Sequence, residues 1–266
     1  MMLSFPGGGA QEGAVLKRLM VAAILAGAPA AGQEGREPVD LELLLLADAS
    51  GSIDSVETML QRQGYAAAMA DPEVLWAIEN GGAEGRIAVA FVEWAGARSQ
   101  DVVVDWMLVE DEASAQEFGA RLIAAPRRAT GTNAIGAAIL HGLALIEGNA
   151  FEGWRKVIDL SGDSIWNPRP PTIAQARDVA IGQGVVVNGL AILCDDCSGR
   201  PGVGDLEQEF TDQLIGGPGA FVVTANGRDA FAAAVRRKLI LEIAGLTPAD
   251  QAVMLTMKYL PPFLPR

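Results

Sequence analysis

Residues 41–47, Leu-Glu-Leu-Leu-Leu-Leu-Ala, form an almost unbroken apolar run of strand length. A strand with so little polar alternation must be covered on both faces, which is the situation of a strand inside a parallel α/β sheet. The next residues sharpen the constraint. Asp48, Ser50 and Ser52 fall at alternate positions, and residues i and i+2 of extended chain point to the same side. One carboxylate and two hydroxyls are therefore presented together where the strand ends. Short, hard oxygen donors suit a divalent cation such as Mg²⁺, and open α/β sheets bind their ligands at this edge.

The rest of the chain alternates helix and strand patterns. Helices are expected over 55–69, 112–124 with Asp111 as cap, 135–146, 172–183 and 229–244. Strands are expected over 87–94, 102–107, 157–160, 185–193 and 221–224. The short connection 96–99 joins two strand patterns and predicts a hairpin, hence one antiparallel edge strand. Together these give an α/β fold: a doubly wound, mainly parallel six-stranded sheet with helices on both faces. Residues 38–246 make up the domain, and 247–266 form a tail expected to pack on it. At 266 residues there is chain enough for one domain of about 200 residues.

Two further pieces follow the first in order: Thr130-Gly131-Thr132-Asn133 and Leu160-Ser161-Gly162-Asp163. The three together resemble the metal-ion-dependent adhesion site of von Willebrand factor A domains. That pattern is Asp-x-Ser-x-Ser after the first strand, a Thr in a later Gly-Thr loop, and an Asp after the fourth strand. The matching residues are Asp48, Ser50, Ser52, Thr132 and Asp163. The family reads Thr-Asp-Gly at the last piece, where this chain has Gly162-Asp163-Ser164. Residues 157–163 and 215–221 look like an uncharacterised bacterial subfamily, DUF1194. The resemblance implies Mg²⁺, or Mn²⁺ or Ca²⁺, with Ser50, Ser52 and Thr132 as direct ligands and Asp48 and Asp163 as direct or water-bridged ones. It also implies an open coordination position for an acidic side chain of a protein partner. Trp166 and Asn167, just beyond Asp163, are placed to frame such a contact. The plainer reading of the first piece is that Ser50 or Ser52 caps the following helix while Asp48 accepts backbone N–H groups.

Composition excludes several classes. A formal net charge of −13 opposes nucleic-acid binding and anionic membrane surfaces. Residues 1–32 read as a leader and its extension: Lys17 and Arg18, an apolar stretch 19–26, then small residues suited to cleavage. Nothing later is apolar enough for a membrane span. The protein is therefore expected to be exported, to the periplasm of a Gram-negative cell or otherwise secreted. In that compartment Cys194 and Cys197 are expected to form a local disulfide.

Enzyme signatures are missing from the sequence. The single histidine, His141, lies in an apolar helical pattern. There is no Gly-x-Ser-x-Gly elbow and no phosphate-binding Gly-Lys-Ser/Thr loop. The expectation is a non-enzymatic, exported domain that binds a cation and, through it, a protein. The rivals are a scaffold with a vestigial metal site and a metal-dependent hydrolase.

Overall fold

The computed structural model describes residues 35–193 and 205–252. The leader, the two cysteines and residues 253–266 lie outside the described residues.

Six strands form one sheet: β1 (Glu37–Asp48), β2 (Ile87–Trp94), β3 (Gln100–Val109), β4 (Phe151–Gly162), β5 (Val185–Leu193) and β6 (Val222–Asn226). Their spatial order is β3-β2-β1-β4-β5-β6. Every pairing is parallel except that of β2 with β3, the antiparallel edge. The expected sheet is the one observed. The apolar run of β1 explains its central position, since all of Val39, Leu41 and the four residues Leu43–Leu46 are fully buried.

Helices α1 (Ser55–Met69), α2 (Pro72–Asn80), α3 (Glu112–Ala124) and α7 (Arg228–Ala244) cover one face. Helices α4 (Ile135–Gly148) and α5 (Ile173–Gly182) cover the other. A short α6 (Leu206–Glu209) runs into a π-helical turn, Phe210–Leu214. Alternation along β1 sorts the two cores. Leu41, Leu43 and Leu45 face α1 and α7, while Leu44 and Leu46 face α4 and α5. In the first core, Tyr65 meets Phe91 and Phe231 edge-on, with centroids 5.2 and 5.8 Å away. Such geometry adds to plain burial.

Several features depart from the expectation, the short α6 and its π-helical turn among them. Helix α2 has no counterpart in it, although Asp71 caps this helix and Pro72 opens it. Strand β4 starts at Phe151 rather than 157, because its polar first half pairs with Glu37, Pro38 and Val39 of β1. Neither serine caps α1. Asp54 does, accepting from the N–H groups of Val56 and Glu57, while the Glu57 carboxylate accepts the Asp54 N–H in return. The helix-cap explanation of Ser50 and Ser52 is thereby removed.

Candidate metal centre

The strand order reverses between β1 and β4, since the chain leaves β1 toward β2 and returns on the other side of β1 as β4. This switch point is where an open α/β sheet has a crevice at the carboxyl ends of its strands. Asp48 is the last residue of β1, and Asp163 immediately follows β4.

Asp48 is buried, and its Oδ1 accepts the Ser50 N–H at 2.8 Å. Its Oδ2 makes no well-aligned hydrogen bond, although the Ser50 hydroxyl and the Asp163 N–H lie close enough to favour the ionised form. Burial, followed by the neighbouring Asp163 charge, pushes the Asp48 carboxyl up to about 7. Burial raises Asp163 as well, while a hydrogen bond from Ser52 acts against the rise. Ser50 Oγ and Ser52 Oγ are 3.2 Å apart. Gly162 sits against this cluster, and a Cβ added there would lie 3.4 Å from Asp48 Oδ2.

The Thr132 loop is sewn by backbone to the β1 loop and to the β2–β3 hairpin. The Gly51 N–H donates to Gly131 O at 2.9 Å, and the Gly96 N–H to Thr130 O at 3.3 Å. Gly131 has φ +118°, and a Cβ would come within 3.1 Å of the Gly96 Cα. A side chain at Gly131 would meet both strain and crowding. Thr132 itself is exposed. Asn133 Nδ2 donates to Ser164 Oγ at 2.8 Å, tying the second loop to the third. From behind, Arg127 donates to the carbonyls of Ala49 and Ile53, and Gln61 to that of Asp48.

Asp48, Ser50, Ser52 and Asp163 thus form one contact cluster, with Thr132 on the adjoining loop. Trp166, three residues after Asp163 in the chain, is exposed. The Asn167 side chain is engaged in bracing its own region: it accepts the Gly136 N–H and donates to the carbonyls of Arg169 and Pro171. The bracing residues Arg127, Gln61 and Asn133 have no signature in the sequence. Their partners are mostly backbone atoms brought near by the fold.

The donor set fits a hard divalent cation. Two carboxylates and two hydroxyls converge, one buried carboxylate oxygen is left over, and the Asp163 charge adds to the cost of ionising Asp48. Among the described residues no three His, Cys, Asp or Glu side chains gather around one point. A cation here depends on hydroxyl oxygens as much as on acids, which suits Mg²⁺ with retained waters better than a soft, thiolate-seeking metal.

A family model described as "Protein of unknown function (DUF1194)" matches residues 38–247. No curated protein matches the sequence. Several solved structures share the fold. The D319A mutant of the PilB minor pilin from Streptococcus sanguinis superposes with a TM-score of 0.56 at 16% identity, covering 82% of this chain and 64% of that one. The pilus adhesin SpaC from Lactobacillus rhamnosus GG gives 0.55 at 15% identity, covering 80% and 32%. Proximal thread matrix protein 1 from the mussel byssus, with a zinc-occupied MIDAS motif, gives 0.54 at 14% identity, covering 84% and 59%. The match spans less than two thirds of each of these proteins. At such identities the likeness establishes a von Willebrand factor A-like fold.

Proposed function

The chain belongs to the DUF1194 family of proteins of unknown function, and we propose that it is an exported domain that binds a protein partner through a divalent cation. The observation that carries this reading is the Asp48–Asp163 pair at the switch point, with Asp48 Oδ2 buried and left without a well-aligned partner. Two acids held this close are costly without a counter-charge, and a cation supplies it.

In this reading Asp48, Ser50, Ser52, Thr132 and Asp163 hold Mg²⁺, Mn²⁺ or Ca²⁺. The bound cation supplies a positive charge that accepts an acidic side chain of the partner. The protein's own residues do the rest. Arg127 and Gln61 fix the β1 loop, the Gly51–Gly131 bond sets the distance between loops, and Asn133 holds the Asp163 loop in register. Trp166 offers an exposed aromatic contact at the rim.

The adhesin, pilin and byssal proteins that share the fold support an interaction role, and the zinc-occupied MIDAS of the byssal protein supports a divalent metal. Among the described residues no helix is long and apolar enough to cross a membrane. We read the domain as non-enzymatic.

The test is capture of a partner from periplasmic extract with Mg²⁺ and with chelator, repeated with Thr132→Ala. Binding present in Mg²⁺ but lost in chelator and in Thr132→Ala supports cation bridging. Binding indifferent to chelator leaves a scaffold, and phosphoester turnover by pure protein would make it a hydrolase.

A further inference from the structure

A cavity of about 230 Å³ opens between α1 and the first turns of α7, directly beside the candidate metal centre. Ile53, Leu60, Ile192 and Phe231 give it apolar walls, and Asp163 stands at its edge. One carboxylate therefore belongs both to the cation cluster and to the cavity. The Glu57–Arg228 ion pair, at 2.9 Å, closes another side, with Arg228 about half exposed.

The outer face of α1 continues the apolar character. Val56, Met59 and Leu60 are 60%, 36% and 40% exposed. Spaced i, i+3 and i+4, they form one stripe on the helix surface. Isolated exposed apolar residues are ordinary, whereas a stripe running into an apolar cavity marks an interaction surface.

Charge favours the same surface. A divalent cation would balance Asp48 and Asp163, and Arg228 balances Glu57. The patch is then locally neutral on a chain of net charge −13, so an acidic segment meets less repulsion here than over an average part of the surface. The cation needs an acid and the cavity needs an apolar group. A polypeptide supplies both within a few residues, and its flanking chain can lie along the α1 stripe.

Resting on the cation-dependent reading above, we propose that this cavity is a specificity pocket for a partner polypeptide that carries a large aliphatic or aromatic side chain within a few residues of the acidic side chain that completes the cation. The cavity has room for one or two such side chains. The acid is selected by charge, and the neighbouring residue by the walls formed by Leu60 and Phe231.

The test uses the full chain and blocked hexapeptides containing one Glu, with the other positions varied, selected in Mg²⁺ and in chelator. Ala232, an exposed α7 residue lining the cavity, is changed to Phe to fill it. Leu60→Asp serves as a second variant, and Mg²⁺ affinity is measured on all three proteins by calorimetry. The expected result is Mg²⁺-dependent enrichment of about tenfold, or ~1.4 kcal/mol, for Leu, Ile, Met or Phe at one fixed offset from Glu. Ala232→Phe and Leu60→Asp should remove the enrichment with Mg²⁺ affinity unchanged. Glu-dependent selection with no apolar preference would overturn the pocket and leave the cation reading in place. Selection unaffected by both variants, or no peptide selection by a protein that does bind Mg²⁺, would overturn it too. A protein that binds no Mg²⁺ would remove the underlying reading along with the pocket.

Discussion

Ser52 distinguishes two explanations that the string Asp-x-Ser-x-Ser leaves open. A serine that caps a helix costs about 1 kcal/mol of stability on replacement by Ala. Here Asp54 caps α1, and the Ser52 hydroxyl instead lies 3.2 Å from that of Ser50 and bonds Asp163. Ser52→Ala should therefore weaken Mg²⁺ binding at least tenfold while leaving the metal-free melting temperature within about a degree or two. A fall in stability with unchanged metal affinity would restore the capping role.

Glu242 allows a prediction that does not involve metal. It is buried with Asp159 around the single ammonium of Lys238, which lies 2.6 Å from Asp159 and 2.5 Å from Glu242. Burial, then the Asp159 charge, raises Glu242 to about 7, from an ordinary value of 4.5. The folded state thus holds this proton more tightly than the unfolded chain does. The resulting stabilisation is complete below about pH 4.5 and is lost as pH rises through about 7. Asp48 acts in the same direction in cation-free protein. Melting temperature without metal should fall between pH 5 and pH 8. Glu242→Gln should flatten part of that slope, and saturating Mg²⁺ should flatten the part due to Asp48. A slope that neither change affects would contradict the assignment.

Elements were legible where a pattern was strong and local. The apolar run of β1, the short hairpin connection and the Asp111 cap of α3 placed those pieces correctly. The polar start of β4 was not legible. Its strand character comes from pairing with β1, and no periodicity in Glu152, Trp154 or Lys156 announces it. The candidate site divides in the same way. Its oxygen donors stand in short strings that the sequence displays, whereas Arg127, Gln61 and Asn133 act through contacts 13 to 78 residues away along the chain. The separations of Arg127 from Ala49 and of Asn133 from Ser164 show why: only the folded sheet makes them neighbours.

Arg62 tests how α1 is fixed relative to the site. It is buried, donates to Glu93 on β2 at 2.7 Å and reaches the carbonyl of Ala125 after α3. Removing one member of a buried ion pair strands the other charge. Arg62→Met should destabilise the domain by about 3–5 kcal/mol in denaturant titration, whereas Arg62→Met with Glu93→Leu should recover much of the loss. A mild single-variant effect would mean that the pair is not what locks α1.

At the scale of the whole molecule, the sheet serves as a frame that carries three loops to one edge. Both cores pack against β1, as they do against β2, β4 and β5, so the strand bearing Asp48 is held from both faces. On a chain of net charge −13, the edge proposed to hold a cation is where an acidic partner segment would meet the least repulsion. Export and the Cys194–Cys197 pairing were expected from sequence and belong to segments outside the described residues. Ligand binding to the native state alone raises its apparent stability, so the domain should melt at a higher temperature in Mg²⁺ or Mn²⁺ than in chelator. The most direct measurement is calorimetric titration of Mg²⁺ or Mn²⁺ into the metal-free chain at pH 7.5, in parallel with Asp48→Ala. One saturable site is expected in the natural sequence and none in the variant, with the variant still folded. No saturable site at millimolar metal, or equal binding by both proteins, would contradict it.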